Sequence, residues 1–440
     1  MEPNKKIAVL GAGPMGLAVA YQLVRLGYQP VIYEADSCSG GMSASFDFDG
    51  LTIERYYHFH CTSDQPYFEI LDELDLSNRF HWVETKMGYW FDNHLQSWGN
   101  PLALLRFKGV SFCAKIRYGL HAYYCKIKKN WKSLDRIEAS DWIRKWVGHE
   151  AWQFFWQPLF EKKMYQFSRS FSAAWIWSRI HRIGNSRYNL FREKLGYLEG
   201  GCETLIKAME KVIEENGGEI RLSEPVRHIK IVDGSVTGVE TDRGFEDYGQ
   251  VISTIPLPFI PKIMPDLPGD ILDKIRKIDN IPVICIIIKL QKPLSENFWL
   301  NISDDTMDIP GIVEYSNLCP LECSVVYAPY YVPADHPIHK EDDEVLCSRI
   351  RDYFKRINPS LTDSDFLGFK VHRYTYAQPV CGPEFLEQLP PVRLPIRGLW
   401  LADTSYYYPH DRGISESIEY GRKIAQDAVS VHEQSTKVEN

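Results

Sequence analysis

Residues 7–16 read Ile-Ala-Val-Leu-Gly-Ala-Gly-Pro-Met-Gly, an apolar run followed by glycines in the spacing Gly-x-Gly-x-x-Gly. The apolar run predicts a β-strand, and the helical spacing of apolar residues over 17–26 predicts a helix directly after the glycines. Residues 30–33 predict a second strand, which ends at Glu34. This order of strand, glycine turn, helix, strand and acidic residue is typical of a βαβ unit that binds a dinucleotide.

Each glycine of the turn has its own predicted role. The first permits the tight turn, the second lets the backbone approach a pyrophosphate, and the third lets helix and strand pack closely. The N-terminus of the helix points unpaired N–H groups at the phosphate charge. Glu34 is placed to accept hydrogen bonds from a ribose hydroxyl, and its charge disfavours NADP. The βαβ context disfavours a turn without a ligand, and the predicted contacts of the turn are Gly11, Gly13, Pro14, Met15 and Gly16.

The composition excludes several classes of protein. The 440 residues include 50 Lys and Arg against 58 Asp and Glu, so the net charge of −8 argues against a nucleic-acid partner. The nearest pair of cysteines, Cys319 and Cys323, has no second pair that would complete a zinc site, so no metal site is predicted. The longest apolar run, Ile281–Leu290, is too short to cross a bilayer and predicts a buried strand. Because the N-terminus carries no secretory signal, we expect a cytoplasmic protein.

The chain is predicted to form two domains, each assembled from separate stretches. Segments with the pattern of an α/β nucleotide-binding domain occupy residues 1–50, 196–275 and 390–433. An inserted substrate domain, partly helical and partly a mixed sheet, is predicted over 51–195 and 276–389. The polar residues 434–440 are predicted to form a disordered tail.

Three further segments extend the glycine motif. Residues 40–45 read Gly-Gly-Met-Ser-Ala-Ser, residues 196–201 read Gly-Tyr-Leu-Glu-Gly-Gly, and residues 398–403 read Gly-Leu-Trp-Leu-Ala-Asp. Gly-Ile-Ser-Glu-Ser follows at 413–417 and opens a last helix. Together, these segments resemble the flavoproteins of the amine oxidase superfamily, which includes protoporphyrinogen oxidase, the phytoene desaturases and, more distantly, UDP-galactopyranose mutase. The sequence departs from the family at Met42, where an arginine is common.

The resemblance implies the fold and the cofactor. The implied fold is an α/β Rossmann-like FAD-binding domain of the glutathione-reductase type with an inserted α+β substrate domain. Noncovalent FAD is implied, because Cys381 does not match the cysteine that carries the flavin in some monoamine oxidases. For Asp403, capping of a helix is an alternative with nearly equal support. The implied cofactor contacts beyond the first turn are Glu34, Gly40, Gly41, Met42, Val226, Asp403, Gly413 and Ile414.

Two stretches supply the candidate catalytic residues. In the family, the stretch Arg55-Tyr-Tyr-His-Phe-His60 runs beside the flavin, so His58 and His60 are candidates for proton exchange or for shaping the pocket. By the same resemblance, the loop that holds Tyr408 and Arg412 lies over the flavin, and Arg412 is suited to grip a phosphate or carboxylate. The alternatives are buried, hydrogen-bonded histidines and a tyrosine-rich core loop.

The resemblance implies an FAD-dependent oxidoreductase that takes a hydride from a C–N, C–O or C–C bond of a sizeable organic substrate. The first alternative is a non-redox isomerase resembling UDP-galactopyranose mutase, in which reduced flavin attacks a sugar nucleotide. The histidine-containing run favours this alternative, whereas the first glycine motif of the mutases usually reads differently. The second alternative is an FAD-binding protein without catalysis.

The segment from Lys108 to Lys132 interleaves basic and aromatic residues and contains no acidic residue. On an acidic protein, this pattern is compatible with an amphipathic surface helix that contacts an anionic membrane or a lipid-linked substrate. The pattern alone favours the ordinary alternative, a solvated basic helix face. The expected partner is therefore a small-molecule or lipid-linked substrate, with peripheral membrane contact through residues 108–132.

Overall fold

The structure, a computed structural model, describes residues 5–187 and 192–439, with side chains as far as residue 431. The strands of these residues are numbered in chain order: β1 Lys6–Leu10, β2 Gln29–Tyr33, β3 Ser45–Phe48, β4 Leu51–Glu54, β5 Phe80–Thr85, β6 Met87–Phe91, β7 His94–Trp98, β8 Glu193–Leu198, β9 Glu219–Arg221, β10 Val226–Val232, β11 Ser235–Thr241, β12 Gly244–Asp247, β13 Val251–Ser253, β14 Asn280–Leu290, β15 Trp299–Ile302, β16 Gly311–Glu314, β17 Ser324–Tyr331, β18 Phe366–Pro379 and β19 Leu399–Leu401.

The helices of the same residues are numbered in the same way: α1 Pro14–Arg25, α2 Gln65–Glu73, α3 Pro101–Arg106, α4 Phe112–Ile127, α5 Ala139–Ala151, α6 Gln157–Met164, α7 Ala173–Asn185, α8 Gly201–Glu215, α9 Ile260–Ile263, α10 Gly269–Arg276, α11 Asp343–Ile357, α12 Phe385–Gln388 and α13 Ile414–Glu439.

A five-stranded parallel sheet is built from strands that lie far apart in the chain. Its order is β19-β13-β1-β2-β9, and every neighbouring pair is parallel. The helix α1 connects β1 to β2 and packs against α13 and α8. The chain order reverses beside β1, and ligands of open α/β sheets bind at such a switch point, beyond the carboxyl ends of the strands. The predicted Rossmann-like α/β fold is confirmed.

A seven-stranded mixed sheet forms the second large sheet, with the order β18-β14-β17-β16-β15-β6-β7. The apolar run of β14 lies between β17 and β18 and pairs antiparallel with both. Its residues are almost all buried, which explains why its sequence is apolar without alternation. The prediction of a buried strand here is confirmed.

A layer of helices lies beside this second sheet. The helix α4 packs on α5 and α7, and the helical stretch that begins with α5 is not regular. Gly148 has a φ of 82°, a conformation that ends regular helix, and a π-helical turn follows over Trp152–Trp156.

Two boundaries differ from the expectations. Residues 196–198 belong to β8, which pairs antiparallel with β5 rather than with the parallel sheet. The last helix runs to Glu439, past residue 433, where the nucleotide-binding domain is predicted to end. Side chains beyond residue 431 and Asn440 lie outside the described part of the chain, so the disordered tail stays a prediction. Over the described residues, no helix is both long enough and apolar enough to cross a membrane.

Candidate functional site

The glycine turn after β1 contains one glycine that tight packing requires and another that faces open space. A Cβ atom at Gly16 would lie 1.8 Å from the Gly11 carbonyl oxygen, so packing of α1 on β1 requires glycine there. At Gly13 the situation is the opposite, because a Cβ atom would meet no atom within 4 Å. Gly13 has an ordinary φ of −69°, so neither backbone strain nor packing demands glycine. Open space in front of Gly13 fits a ligand that approaches the backbone closely.

Glu34 and the second glycine pair are brought to the same turn. The carboxylate of Glu34 accepts the Ala12 N–H at 2.7 Å and the Asp36 N–H at 2.9 Å. Each of its oxygens keeps lone-pair capacity for a hydroxyl group. Gly40 adopts a φ of 112° and donates its N–H to the Ala12 carbonyl oxygen at 2.8 Å. A Cβ atom at Gly41 would lie 3.3 Å from the Gly13 Cα, so the two glycine motifs are in contact.

Val226 and Asp403, two other predicted cofactor contacts, have different surroundings. Val226 begins β10 just after Glu224, whose N–H donates to the Glu34 carbonyl oxygen at 2.8 Å. The carboxylate of Asp403 is buried and accepts the Leu257 N–H at 2.8 Å and the Ser405 N–H at 2.9 Å. It therefore caps the short 3₁₀ turn that begins at residue 404. The capping alternative is present, and a cofactor contact through Asp403 stays a prediction.

A cavity of about 660 Å³ is lined by residues of the seven-stranded sheet, of the helical layer and of the start of α13. Several predicted site residues line it: Met42, His58, His60, Arg412, Gly413 and Ile414. Much of the remaining wall is aromatic, including Tyr57, Phe59, Tyr89, Trp98, Tyr118, Phe155, Trp156, Trp175, Phe298, Trp299 and Tyr331. The cavity thus runs from the start of α13 into an aromatic chamber.

Both candidate histidines line this cavity. Burial, and then the neighbouring His60, lower the pKa of His58 to about 3, so its imidazole is neutral at physiological pH. Nε2 of His58 lies 3.4 Å from the Ser43 hydroxyl, while Nδ1 is buried without a partner among the described residues. Burial also lowers the pKa of His60, which stacks on Tyr67 with ring centres 3.6 Å apart. Neither histidine carries the positive charge of a strong general acid.

Tyr408 is placed elsewhere than predicted and does not belong to the cavity lining formed by the described residues. Its hydroxyl lies 2.7 Å from the Ser172 hydroxyl and donates to the Asp135 carboxylate. The ring packs edge-on against Trp131. Because distant residues occupy the hydroxyl, Tyr408 anchors its loop to the helical layer, and a catalytic role for it stays a prediction that this placement does not favour.

A buried ion pair that sequence reasoning missed borders the cavity. Asp64 precedes α2 and is 3% exposed, and Arg182 of α7 binds it through Nε at 3.2 Å and Nη2 at 2.7 Å. The Cys61 N–H adds a third hydrogen bond at 3.0 Å. Burial alone would raise the pKa of Asp64, but the hydrogen bond to His60 and the charge of Arg182 hold that pKa well below its usual range. The two residues are 118 positions apart, so no local pattern could have paired them.

A second buried cluster brings together potential metal-ligating atoms of Glu54, His58 and Cys202, all within 4.8 Å of one another. One oxygen of Glu54 accepts the Cys202 N–H at 2.7 Å. Burial raises the pKa of both the Glu54 carboxyl and the Cys202 thiol. Metal binding needs the deprotonated forms, which this environment disfavours. We read the cluster as part of the packed wall behind His58.

Comparison with known proteins identifies the family. The sequence profile described as flavin containing amine oxidoreductase matches residues 16–429. The chain belongs to this family. As a member, the protein is a flavin-dependent oxidoreductase that acts on a small-molecule or lipid-like substrate, which confirms the resemblance inferred from its motifs and disfavours the isomerase alternative.

Several relatives are distant in sequence but match along nearly the whole chain. The zeta-carotene desaturase of Synechocystis sp. is 23% identical, with 96% of each chain covered. The 15-cis-phytoene desaturase of Arabidopsis thaliana is 21% identical over 97% of this chain and 80% of its own length. The structure of cyclohexylamine oxidase from Brevibacterium oxydans superposes with a TM-score of 0.74 at 12% identity, over 98% of this chain and 100% of the oxidase. These likenesses support the same fold.

The residues present fit a flavin nucleotide. The open space before Gly13 and the neighbouring Glu34 suit the pyrophosphate and the ribose of a dinucleotide. Nδ1 of His58 is buried without a hydrogen-bond partner among the described residues, and His58 lines the cavity, so a polar group of a bound ligand could pair with it. The N-terminus of α13 supplies unpaired N–H groups to the same cavity through Gly413 and Ile414.

Proposed function

We propose that the enzyme binds FAD noncovalently and removes a hydride from a carbon atom of an elongated, largely apolar substrate. The observation that carries this proposal is the aromatic chamber, which begins at Gly413 and extends to the surface helices. Aromatic walls provide large contact areas for apolar molecules. The carotene desaturases among the relatives are named for substrates of this chemistry, which supports the proposal.

The residues of the chain have separable roles in this proposal. Gly13, Glu34 and the pair at 40–41 hold the adenosine diphosphate half of FAD, and the parallel sheet forms its binding domain. When bound, the flavin supplies a hydride acceptor. The positive end of α13, at Gly413, stabilises negative charge on the reduced ring. Neutral His58 donates or accepts a hydrogen bond at the ring without adding charge.

The charge of the cavity separates this enzyme from oxidases of small amines. The charged residues that line the cavity are six cations, Lys126, Lys163, Arg179, Arg182, Arg187 and Arg412, and three carboxylates, Asp64, Glu193 and Asp411. An ammonium substrate would meet a net positive surface in a desolvated space, which is unfavourable. We therefore propose oxidation at a C–C or C–O bond.

Anaerobic reduction of the flavin tests the reaction class. We expect a long isoprenoid to bleach the flavin absorbance of the FAD-loaded enzyme, whereas putrescine and cyclohexylamine leave it oxidised because the cavity repels cations. The control is dithionite, which must reduce the same preparation completely. Bleaching by the amines with no response to any isoprenoid would contradict the proposal.

The exposed face of α4 supports a second part of the proposal, contact with an anionic membrane. Five apolar side chains on this face recur at helical spacing: Phe112, Ile116, Leu120, Tyr123 and Ile127, which are 68%, 43%, 56%, 60% and 53% exposed. The opposite face packs inward through Ala114, His121 and Cys125. A helix that is apolar on both faces is stable only when both are covered.

The occupant that we propose for this face is a bilayer rather than a protein. The surrounding segment 108–132 contains basic but no acidic residues on a chain of net charge −8, which suits anionic lipid headgroups. Tyr123 is exposed and also lines the cavity, so the apolar face adjoins the cavity mouth. A substrate could therefore pass from lipid into the chamber without crossing water.

Vesicle sedimentation tests the membrane contact. Replacing Leu120 with glutamate should weaken binding to phosphatidylserine-containing vesicles about tenfold or more. The change removes a leucine side chain that would insert into the bilayer and adds a negative charge that the anionic lipids repel. The matched control is Leu367→Glu, since Leu367 is 48% exposed on β18, far along the chain from this segment. Equal binding of the two variants, or no binding of the unmodified protein at low salt, would contradict the proposal.

A further inference from the structure

Three cationic side chains from three elements converge in the cavity. Lys163 of α6 places its Nζ 4.5 Å from the centre of the Tyr331 ring, and the guanidinium carbon of Arg412 lies 5.7 Å from the same centre. Arg179 of α7 stacks on Trp175 and binds the Asp411 carboxylate through Nη2 at 2.6 Å. All three cations line the cavity. We call this group, Lys163, Arg179 and Arg412, the cationic cluster.

The hydrogen-bonding capacity of the cluster is only partly used. Arg179 binds Asp411 and the Trp175 carbonyl oxygen, and Arg412 donates to the Ala377 carbonyl oxygen. The ammonium of Lys163 makes no hydrogen bond or ion pair with any residue that the structure describes. Burial, opposed in part by Asp411, lowers the pKa of Lys163 to about 8, so the ammonium remains largely charged at neutral pH. An ammonium group with three unused donors faces the cavity.

The charges of the cluster do not balance. Asp411 is the carboxylate that lines the cavity beside the three cations, so two positive charges are left over. The charge of Arg182 is not added to this count, because Asp64 neutralises Arg182. The nearby Glu416 has its pKa raised to about 7 by burial, so it offers at most a fraction of a charge. Buried cations without a counter-ion are strongly unfavourable, and a ligand of charge near −2 would compensate them.

We propose that Lys163, Arg179 and Arg412 bind the phosphate head group of the substrate, whose apolar chain lies in the aromatic chamber. This inference rests on the proposed function and names the substrate class as a phosphorylated isoprenoid. A phosphate monoester carries a charge of about −1.5 to −2 at pH 7, which matches the excess charge of the cluster. Guanidinium groups bind phosphate through paired N–H donors, and the lysine adds a point charge.

The test compares binding of farnesyl phosphate and farnesol to the FAD-loaded enzyme by quenching of tryptophan fluorescence, since Trp98, Trp156, Trp175 and Trp299 line the cavity. We expect farnesyl phosphate to bind about a hundredfold more tightly than farnesol, because several charge-assisted hydrogen bonds form only with the phosphate. Equal affinity for the two compounds would overturn the proposal without any variant. Farnesoic acid binding as tightly as the phosphate would overturn the assignment to a dianion.

The variant Lys163→Met tests whether the preference for farnesyl phosphate over farnesol depends on the cationic cluster. It should reduce the preference for phosphate about tenfold or more while leaving the affinity for farnesol unchanged, and Lys163→Arg should restore most of the preference. The control Lys126→Met makes the same charge change elsewhere in the cavity lining, on α4, and should keep the preference. If Lys163→Met instead shifts the reduction potential of the flavin and keeps the preference, the cluster serves the cofactor and the proposal is overturned.

The fluorescence readout also separates this inference from the proposed function. Tight phosphate-dependent binding without reduction of the flavin by any isoprenoid would leave the head-group site in place and refute the reaction. If farnesol and farnesyl phosphate both reduce the flavin and bind with equal affinity, the reaction would be supported and the head-group site refuted.

Discussion

Replacing Gly13 with valine should weaken binding of FAD at least about a hundredfold, equivalent to about 2.7 kcal/mol, while the protein remains folded. The physical reason is that a Cβ atom at this position meets no protein atom within 4 Å, so the side chain would project into the space that the pyrophosphate would take. The φ of −69° is ordinary for valine, so the backbone need not change. Flavin fluorescence on titration of the apoprotein with FAD measures the affinity, and circular dichroism measures the fold.

The matched control for this variant is Gly269→Val. Gly269, the first residue of α10, also has open space around a Cβ atom, but no predicted cofactor contact is near it in sequence. This variant should bind FAD as the unmodified protein does. Undiminished affinity in Gly13→Val would show that the glycine turn does not hold the cofactor.

Replacing Asp64 with alanine should destabilise the protein by about 3 kcal/mol, the lower end for a broken buried pair, because Arg182, whose side chain is 22% exposed, would be left as a mostly buried, unpaired charge. The matched control is Asp242, which accepts Nε and Nη2 of Arg227 at 3.0 and 2.7 Å in nearly the same geometry. Asp64 is 3% exposed and Asp242 is 67% exposed. Since water screens the exposed pair, Asp242→Ala should leave the thermal midpoint almost unchanged. Equal shifts in the two variants would contradict this account.

The contribution of Asp64 should also depend on pH in a defined direction. The pKa of Asp64 in the folded state lies below the unfolded value, so its ionised form stabilises the fold. This stabilisation is fully present above the unfolded pKa of about 3.9 and is lost as the pH falls through the folded pKa. The stability difference between the unmodified protein and Asp64→Asn, measured by denaturant titration, should therefore be constant near pH 7 and shrink in acid below about pH 4.

The features that the sequence predicts well are those written in local patterns. The glycines from Gly11 to Gly16 determine the conformation of the turn locally, and the apolar, β-branched run of β14 predicts a buried strand by itself. The start of α13 at Ile414 also follows from a local motif. The structure of these segments does not depend on distant residues, so the Rossmann-like fold and the glycine turn of the predicted cofactor site could be predicted from the sequence.

The features that the sequence could not predict depend on contacts between distant elements. Tyr408 turns inward because Ser172 and Asp135 occupy its hydroxyl. Lys163 and Arg179 enter the cavity because α6 and α7 pack around it, and on each helix they are ordinary basic residues. Tertiary packing alone assembles the cationic cluster, and the same packing leaves the Lys163 ammonium over the Tyr331 ring, without a hydrogen-bond or ion-pair partner among the described residues.

Release of the cofactor from the purified protein tests the central claim most directly. After loading with FAD and removal of free nucleotide, denaturation should release intact FAD, about one molecule per chain, and leave a colourless polypeptide. This result follows if the turn at Gly13, Glu34 and the start of α13 together hold a noncovalent flavin dinucleotide. A protein that retains no FAD after loading, or a flavin that stays attached to the denatured chain, would contradict the account.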